Sequence, residues 1–196
     1  ACFPTPDWRK SRLYAGIARG AGQADGNGMY AIGLELSTQS AKSLVLDIES
    51  RTVEHRCSHE YEACFPEYRT RGGVLVSADE KVRHTSPFML IQALDLVFRQ
   101  LARDRIDLAQ VRAIKLDGMQ HCTVYANLGL AEALSRLDPG HELLPQLRQT
   151  ISRRTSPSWE DRSPAREAAY LTESLLEQGG IEGLTGNRAE LRCPAA

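Results

Sequence analysis

Glu35, Ser37, Thr38 and Gln39 stand together in YAIGLELSTQSAKSLVLDIE, residues 30–49, where an acid and a hydroxyl-rich turn separate two apolar runs. A tight turn between strands exposes backbone N–H groups, and Ser37, Thr38 and Gln39 add side-chain donors. Such a cluster can cradle a phosphate without any basic residue. A carboxylate just ahead of it can hold a hydrated Mg²⁺ near that phosphate. Alternation along a strand puts Glu35 and Ser37 on one face, so acid and hydroxyl can converge. By spacing alone an ordinary polar hairpin is the simpler reading.

Four further stretches carry reactive residue types. In KLDGMQHCTVY, 115–125, His121 follows a short apolar strand and can hydrogen-bond a polyol, with Gly118 expected to allow a close turn. Taken alone, such a histidine is more often a satisfied structural one. In SPSWEDRSPAREAAYL, 156–171, Trp159 and Asp161 precede a helix start. They are either a packing indole with a helix-dipole acid or the wall and polar group of a cleft. In GLTGNRAELRC, 183–193, Arg188 and Arg192 lie four apart, on one face if helical. His55, Cys57 and His59 share a strand face near Cys64, a pattern open to zinc although it lacks the usual turn-spaced cysteine pair.

The elements that must position these residues follow from pattern. Strands are expected at 29–36, 43–47 and about 53–61, joined by turns at 37–40 and 49–52, a β-meander. Residues 62–84 read as irregular. Ser86-Pro87 is an N-cap followed by a first-turn proline. Ile91, Leu94, Phe98 and Leu101 then mark an amphipathic helix over 87–102. Val111 to Leu116 reads as a buried strand that rejoins the sheet by a crossover. A weak helical pattern over 127–150 is broken by DPG. Ser163-Pro164 opens a last helix, whose face is Ala165, Ala168, Ala169, Thr172 and Leu175 and whose stop is Gly179-Gly180. This is an α/β domain, without a GxGxxG or GxxxxGK[ST] loop.

Composition sets outer limits. The 196 residues hold 42% hydrophobic side chains, enough for a real core. Lys plus Arg (24) nearly balances Asp plus Glu (25), which argues against a nucleic-acid binder reliant on a positive field. No run of about 18 apolar residues exists to span a membrane. Five scattered cysteines without a CxxC do not suggest a disulfide scaffold. Residues 1–28, rich in Gly and Ala with scattered basic residues, read as a disordered leader or as sequence upstream of a start at Met29, and both ends read as the edges of a fragment.

Read together and in order, GLELSTQSAKSLVLD, PEYRTRGGV, TSPFMLIQALDLVF, GMQHCTVY, SPSWEDRS and LTGNRAELR resemble the amino-terminal part of the FGGY carbohydrate kinase family, in its xylulose kinase branch. The resemblance implies a ribonuclease H-like fold, the actin-like first of two domains that close around ATP, Mg²⁺ and the sugar. Its mixed sheet would start with an antiparallel three-strand meander. It implies ATP-dependent phosphorylation of D-xylulose to D-xylulose 5-phosphate in the cytoplasm. The alternatives are a non-catalytic sugar-binding or interaction module, or a kinase for another polyol. His121 matches the family's sugar-binding histidine, Arg192 the arginine that contacts the sugar, and Trp159 and Asp161 a W-x-D element near the sugar cleft. Ser37, Thr38 and Gln39 stand in the phosphate turn, and Glu35 where the family has a metal-associated aspartate. Glu35 is one methylene longer than that aspartate. Asp117 stands where a small residue is usual, Cys122 where a glycine is, and Cys193 where an aromatic is. The family's catalytic aspartate and adenosine-binding domain are expected beyond residue 196. Residues 29–196 would then be a partial domain, inactive alone.

Overall fold

Strands β1 (Tyr30–Leu36), β2 (Ser40–Asp47) and β3 (Val53–Glu60) form an antiparallel meander, with Leu34 opposite Ser43 and Ser43 opposite Cys57. The computed structural model describes residues 29–186; the leader expected at 1–28 and both Arg188 and Arg192 lie outside them. The β2–β3 turn is shaped by Asp47, whose Oδ1 accepts from the N–H groups of Glu49 and Ser50, each at 2.9 Å. The Ser50 N–H is the main reason the Asp47 carboxyl sits below its usual range.

After β3 the chain makes a short helix α1 (Tyr61–Cys64), a tiny hairpin of β4 (Thr70–Arg71) and β5 (Val74–Leu75), and β6 (His84–Thr85). The stretch expected to be irregular is thus ordered by small pairings. The long helix α2 (Pro87–Arg103) begins as the sequence predicts: the Ser86 hydroxyl accepts from Met89 N–H at 3.3 Å and Pro87 opens the helix. Its deepest face is Met89, Ala93, Val97 and Leu101, whereas Leu94 and Phe98 of the expected stripe are half-buried. The helix is apolar on much of its circumference, so periodicity alone did not single out the buried row.

From α2 the chain crosses over to β7 (Val111–Gly118), which pairs parallel to β1. The sheet order is β3-β2-β1-β7, a mixed sheet beginning with an antiparallel meander. Ile32 and Leu34 of β1, Ala41 and Val45 of β2, and Tyr61 and Phe65 pack with α2 to make the core. Helices α3 (Leu130–Ser135) and α4 (Leu143–Leu147) follow. Asp95 of α2 is buried and accepts from Leu143 N–H at 2.8 Å, which docks α4. Strand β8 (Ser156–Pro157) pairs with β6. Helices α5 (Ala165–Ser174) and α6 (Gly180–Thr185) end the described chain, and neither buries a residue. The face expected for α5 therefore has no cover among the described residues. Ser163 does not cap α5; its hydroxyl donates to Asp161 Oδ2 at 2.9 Å instead.

The zinc pattern dissolves. His55 Nε2 lies 2.6 Å from Asp104 Oδ2, beyond the end of α2, and Cys57 Sγ lies 3.0 Å from Ser43 Oγ. His59 Nε2 is buried without a hydrogen-bond partner. No group of three or more metal-ligating side chains occurs among the described residues. The shared strand face points the three side chains toward separate neighbours rather than toward one point. No helix among the described residues is long and apolar enough to cross a membrane.

Candidate functional site

The turn from Ser37 to Gln39 lies just past the carboxyl end of β1. Ser37 closes it: its N–H and hydroxyl both donate to the Ser40 carbonyl, at 3.0 and 2.9 Å, and Ser40 N–H donates back to Ser37 Oγ at 3.3 Å. The Ser37 hydroxyl is thus engaged in building the turn. The N–H groups and side chains of Thr38 and Gln39 donate no hydrogen bond among the described residues. Thr38 is half-buried and Gln39 exposed.

The second turn lies past the carboxyl end of β7. Met119 N–H donates to the Leu36 carbonyl at 3.0 Å and ties the two strand ends together. The turn that carries His121 is thereby held beside the Ser37–Gln39 turn. Two adjacent loops at the carboxyl ends of parallel strands are a recurrent place for ligands in α/β sheets. Gly118 does not make this turn, being the last residue of β7, and a Cβ on it would meet nothing within 4 Å. His121 itself takes the left-handed conformation, φ 50°, which histidine tolerates better than bulkier residues. Burial pushes the thiol of the next residue, Cys122, up from its ordinary range and keeps it neutral.

Glu35 and Asp117 are neighbours across the parallel β1–β7 pair, on one face of the sheet. Asp117, singled out in the sequence only as a departure from a pattern, is thus brought beside the acid of the opening stretch. Glu35 Oε2 also pairs with Lys42 Nζ at 3.0 Å across β1–β2, both side chains about half exposed. Two adjacent carboxylates suit Mg²⁺, which keeps several waters and takes one or two carboxylates besides phosphate oxygens. The donor set therefore fits that ion, with Lys42 as the present counter-charge of Glu35.

Trp159 and Asp161 occupy a loop against β6. Asp161 is buried: its Oδ1 accepts from Arg83 N–H at 2.9 Å, its Oδ2 from the Ser163 hydroxyl, and His84 Nε2 lies 3.7 Å away. Asp161 holds the loop, and Trp159, 43% exposed, is left free to offer an apolar surface. The loop connects back to the Ser37–Gln39 turn through a chain of contacts. Strand β8 pairs with β6, Thr85 of β6 donates to the Gly73 carbonyl at 3.2 Å, and Gly73 packs on Thr38. Sequence reasoning missed Gly73 as a site residue. Its only signal was the Gly72-Gly73 pair, and both residues have positive φ.

No family model matches the chain. Curated relatives do. A mouse "Xylulose kinase" is 33% identical over 184 residues, which is 93% of this chain and 33% of the relative. "Probable D-xylulose kinase A" of Arthroderma otae is 34% identical over 158 residues, 81% of this chain and 28% of the relative. "Xylulose kinase 2" of Arabidopsis thaliana is 31% identical over 159 residues. The chain spans 28–33% of the length of these relatives. Among solved structures, xylulose kinase from Rhodospirillum rubrum superposes with a TM-score of 0.54 at 16% identity, over 83% of this chain and 27% of its own. Plasmodium falciparum glycerol kinase gives 0.57 at 11% identity, over 88% and 28%. At such identities these structures speak for the fold, which is the actin-like, ribonuclease H-like one. In sequence the chain is similar to part of the xylulose kinases, and in fold to FGGY sugar kinases.

Proposed function

We propose that the protein carrying this chain phosphorylates D-xylulose with ATP and Mg²⁺, giving D-xylulose 5-phosphate, and that these residues supply the phosphate turn and part of the sugar pocket. The observation that carries the reading is the Met119–Leu36 hydrogen bond, which sets the His121 turn next to a turn whose Thr38 and Gln39 N–H groups bond to none of the described residues. The choice of sugar is supported by sequence relatives named as xylulose kinases. In this reading Thr38 and Gln39 N–H groups donate to phosphoryl oxygens, and the Gln39 amide adds a further donor. Ser37 keeps the turn closed. His121 hydrogen-bonds a sugar hydroxyl, Arg192 gives a second contact, Trp159 covers an apolar side of the sugar, and Asp161 fixes the Trp159 loop. Glu35 with Asp117 would hold Mg²⁺, whose charge offsets that of the phosphoryl oxygens. No residue of this chain is assigned to the adenosine site or to accepting the hydroxyl proton.

The test is ADP release by the full-length protein with ATP, Mg²⁺ and D-xylulose. Turnover is expected above a no-sugar control, and His121→Ala is expected to lower kcat/KM about tenfold or more, the worth of one lost hydrogen bond. The isolated 196-residue chain is expected to give none. Absence of sugar-dependent ADP from the full-length protein sinks the kinase reading. D-Xylulose binding in calorimetry without turnover would point to a sugar-binding module instead.

A further inference from the structure

We infer that Tyr61 and Gly73 are positioning residues of the phosphate turn: they hold its three successive carbonyls on the protein side, so that only N–H groups face the ligand. Tyr61 is completely buried and grips the turn twice. Its backbone N–H donates to the Gln39 carbonyl at 2.9 Å, and its hydroxyl donates to the Ser37 carbonyl at 3.1 Å. The carbonyl between them, that of Thr38, lies against Gly73. A Cβ on Gly73 would come 1.7 Å from Thr38 O and 2.7 Å from Thr38 C, which no side chain permits, and Gly73 has φ +79°. Gly73 is itself held from behind by the Thr85 hydroxyl on its carbonyl. Its neighbour Gly72 donates its N–H to the Glu62 carboxylate of α1.

The consequence follows from the planar trans peptide, in which C=O and the following N–H point in opposite directions. There is no cis peptide among the described residues. With Ser37 C=O turned to Tyr61, Thr38 N–H turns away from it. With Thr38 C=O turned to Gly73, Gln39 N–H turns away in the same manner. These are the two N–H groups of the turn that have no partner among the described residues. A phosphate meets donors and no carbonyl oxygen. Were either peptide to flip, a carbonyl would face the phosphate and repel it, and one donor would be lost.

This inference rests on the phosphate reading of the turn, and the experiment separates the two. Steady-state kinetics of the full-length protein are compared for wild type, Gly73→Ala and Tyr61→Phe. The phenylalanine variant keeps the buried ring and removes only the hydroxyl. Gly73→Ala is expected to raise KM for ATP or lower kcat about tenfold or more, the scale of a small misplacement at a reacting group. KM for D-xylulose should stay within about twofold. Tyr61→Phe is expected to change the same parameters in the same direction by about threefold, the scale of one neutral hydrogen bond, and stays informative if Gly73→Ala does not fold. Unchanged ATP parameters in Tyr61→Phe and in a folded Gly73→Ala overturn the inference and leave the kinase reading standing. So does an equal rise of both KM values with a lowered melting temperature, which marks a purely structural role. A wild-type protein without ATP turnover overturns both.

Discussion

His59 shows how one residue type serves different ends in this chain. It is half-buried on β3, with Nε2 unpartnered, and burial lowers its pKa below the ordinary 6.5, helped by the Arg103 charge and opposed by Asp104. A histidine kept neutral by the fold binds fewer protons folded than unfolded as pH falls through 6.5, so stability declines there and recovers as pH rises. Denaturant melts between pH 7.5 and 5 are expected to show this decline, and His59→Gln should flatten it; an equal slope in the variant would remove His59 as the source. His121, by contrast, is exposed at a turn, in the left-handed backbone conformation. Both histidines were visible in the sequence, but their surroundings were not. The same holds for Asp117 and Gly73. The first meets Glu35 only through the register of a parallel pair, and the second meets Thr38 only through a hairpin folding back. Spacing along the chain encodes neither. Ser37, Thr38 and Gln39 were legible because a turn between two strands is a local event.

Among the elements, α2 supplies most of the cover over the sheet, and its start is defined by two adjacent residues, Ser86 and Pro87. Removing the cap by Ser86→Ala should cost about 1 kcal/mol, since Met89 N–H loses its acceptor in a buried place. That corresponds to a fall in melting temperature of about 2–4 °C for a chain of this size. Calorimetry showing no change would mean that water or the loop replaces the hydroxyl. The meander and this helix could be read from alternation, caps and proline, all of them local. The small pairings β4–β5 and β6–β8 could not, because two-residue strands leave no periodic trace. For α5 the expected apolar face has no cover among the described residues, and Ala165, Ala169 and Thr172 of it are exposed.

On the scale of the whole molecule, the core continues past its cover. Ile114 and Leu116 of β7 stand in register with Ile32 and Leu34 of β1. The β1 pair is 1% and 4% exposed under α2, whereas the β7 pair is 52% and 64% exposed. An uncovered apolar strand at a sheet edge favours association. The isolated chain is therefore expected to self-associate with rising concentration. Ile114→Thr with Leu116→Thr should reduce this while leaving helical circular dichroism unchanged, since threonine keeps strand propensity. Light scattering that finds the wild type monomeric throughout would refute it.

The parallel pairing of β1 with β7 also sets an order of events. The meander joins neighbours along the chain, and closing such short loops carries little entropic cost. Ile32 meets Ile114 only after the hairpins and α2 between them have been made or bypassed, and contacts so distant in sequence close late. Ser37 belongs to the early part and His121 to the late part. The two halves of the candidate site are thus strangers during most of folding, and one long-range pairing introduces them.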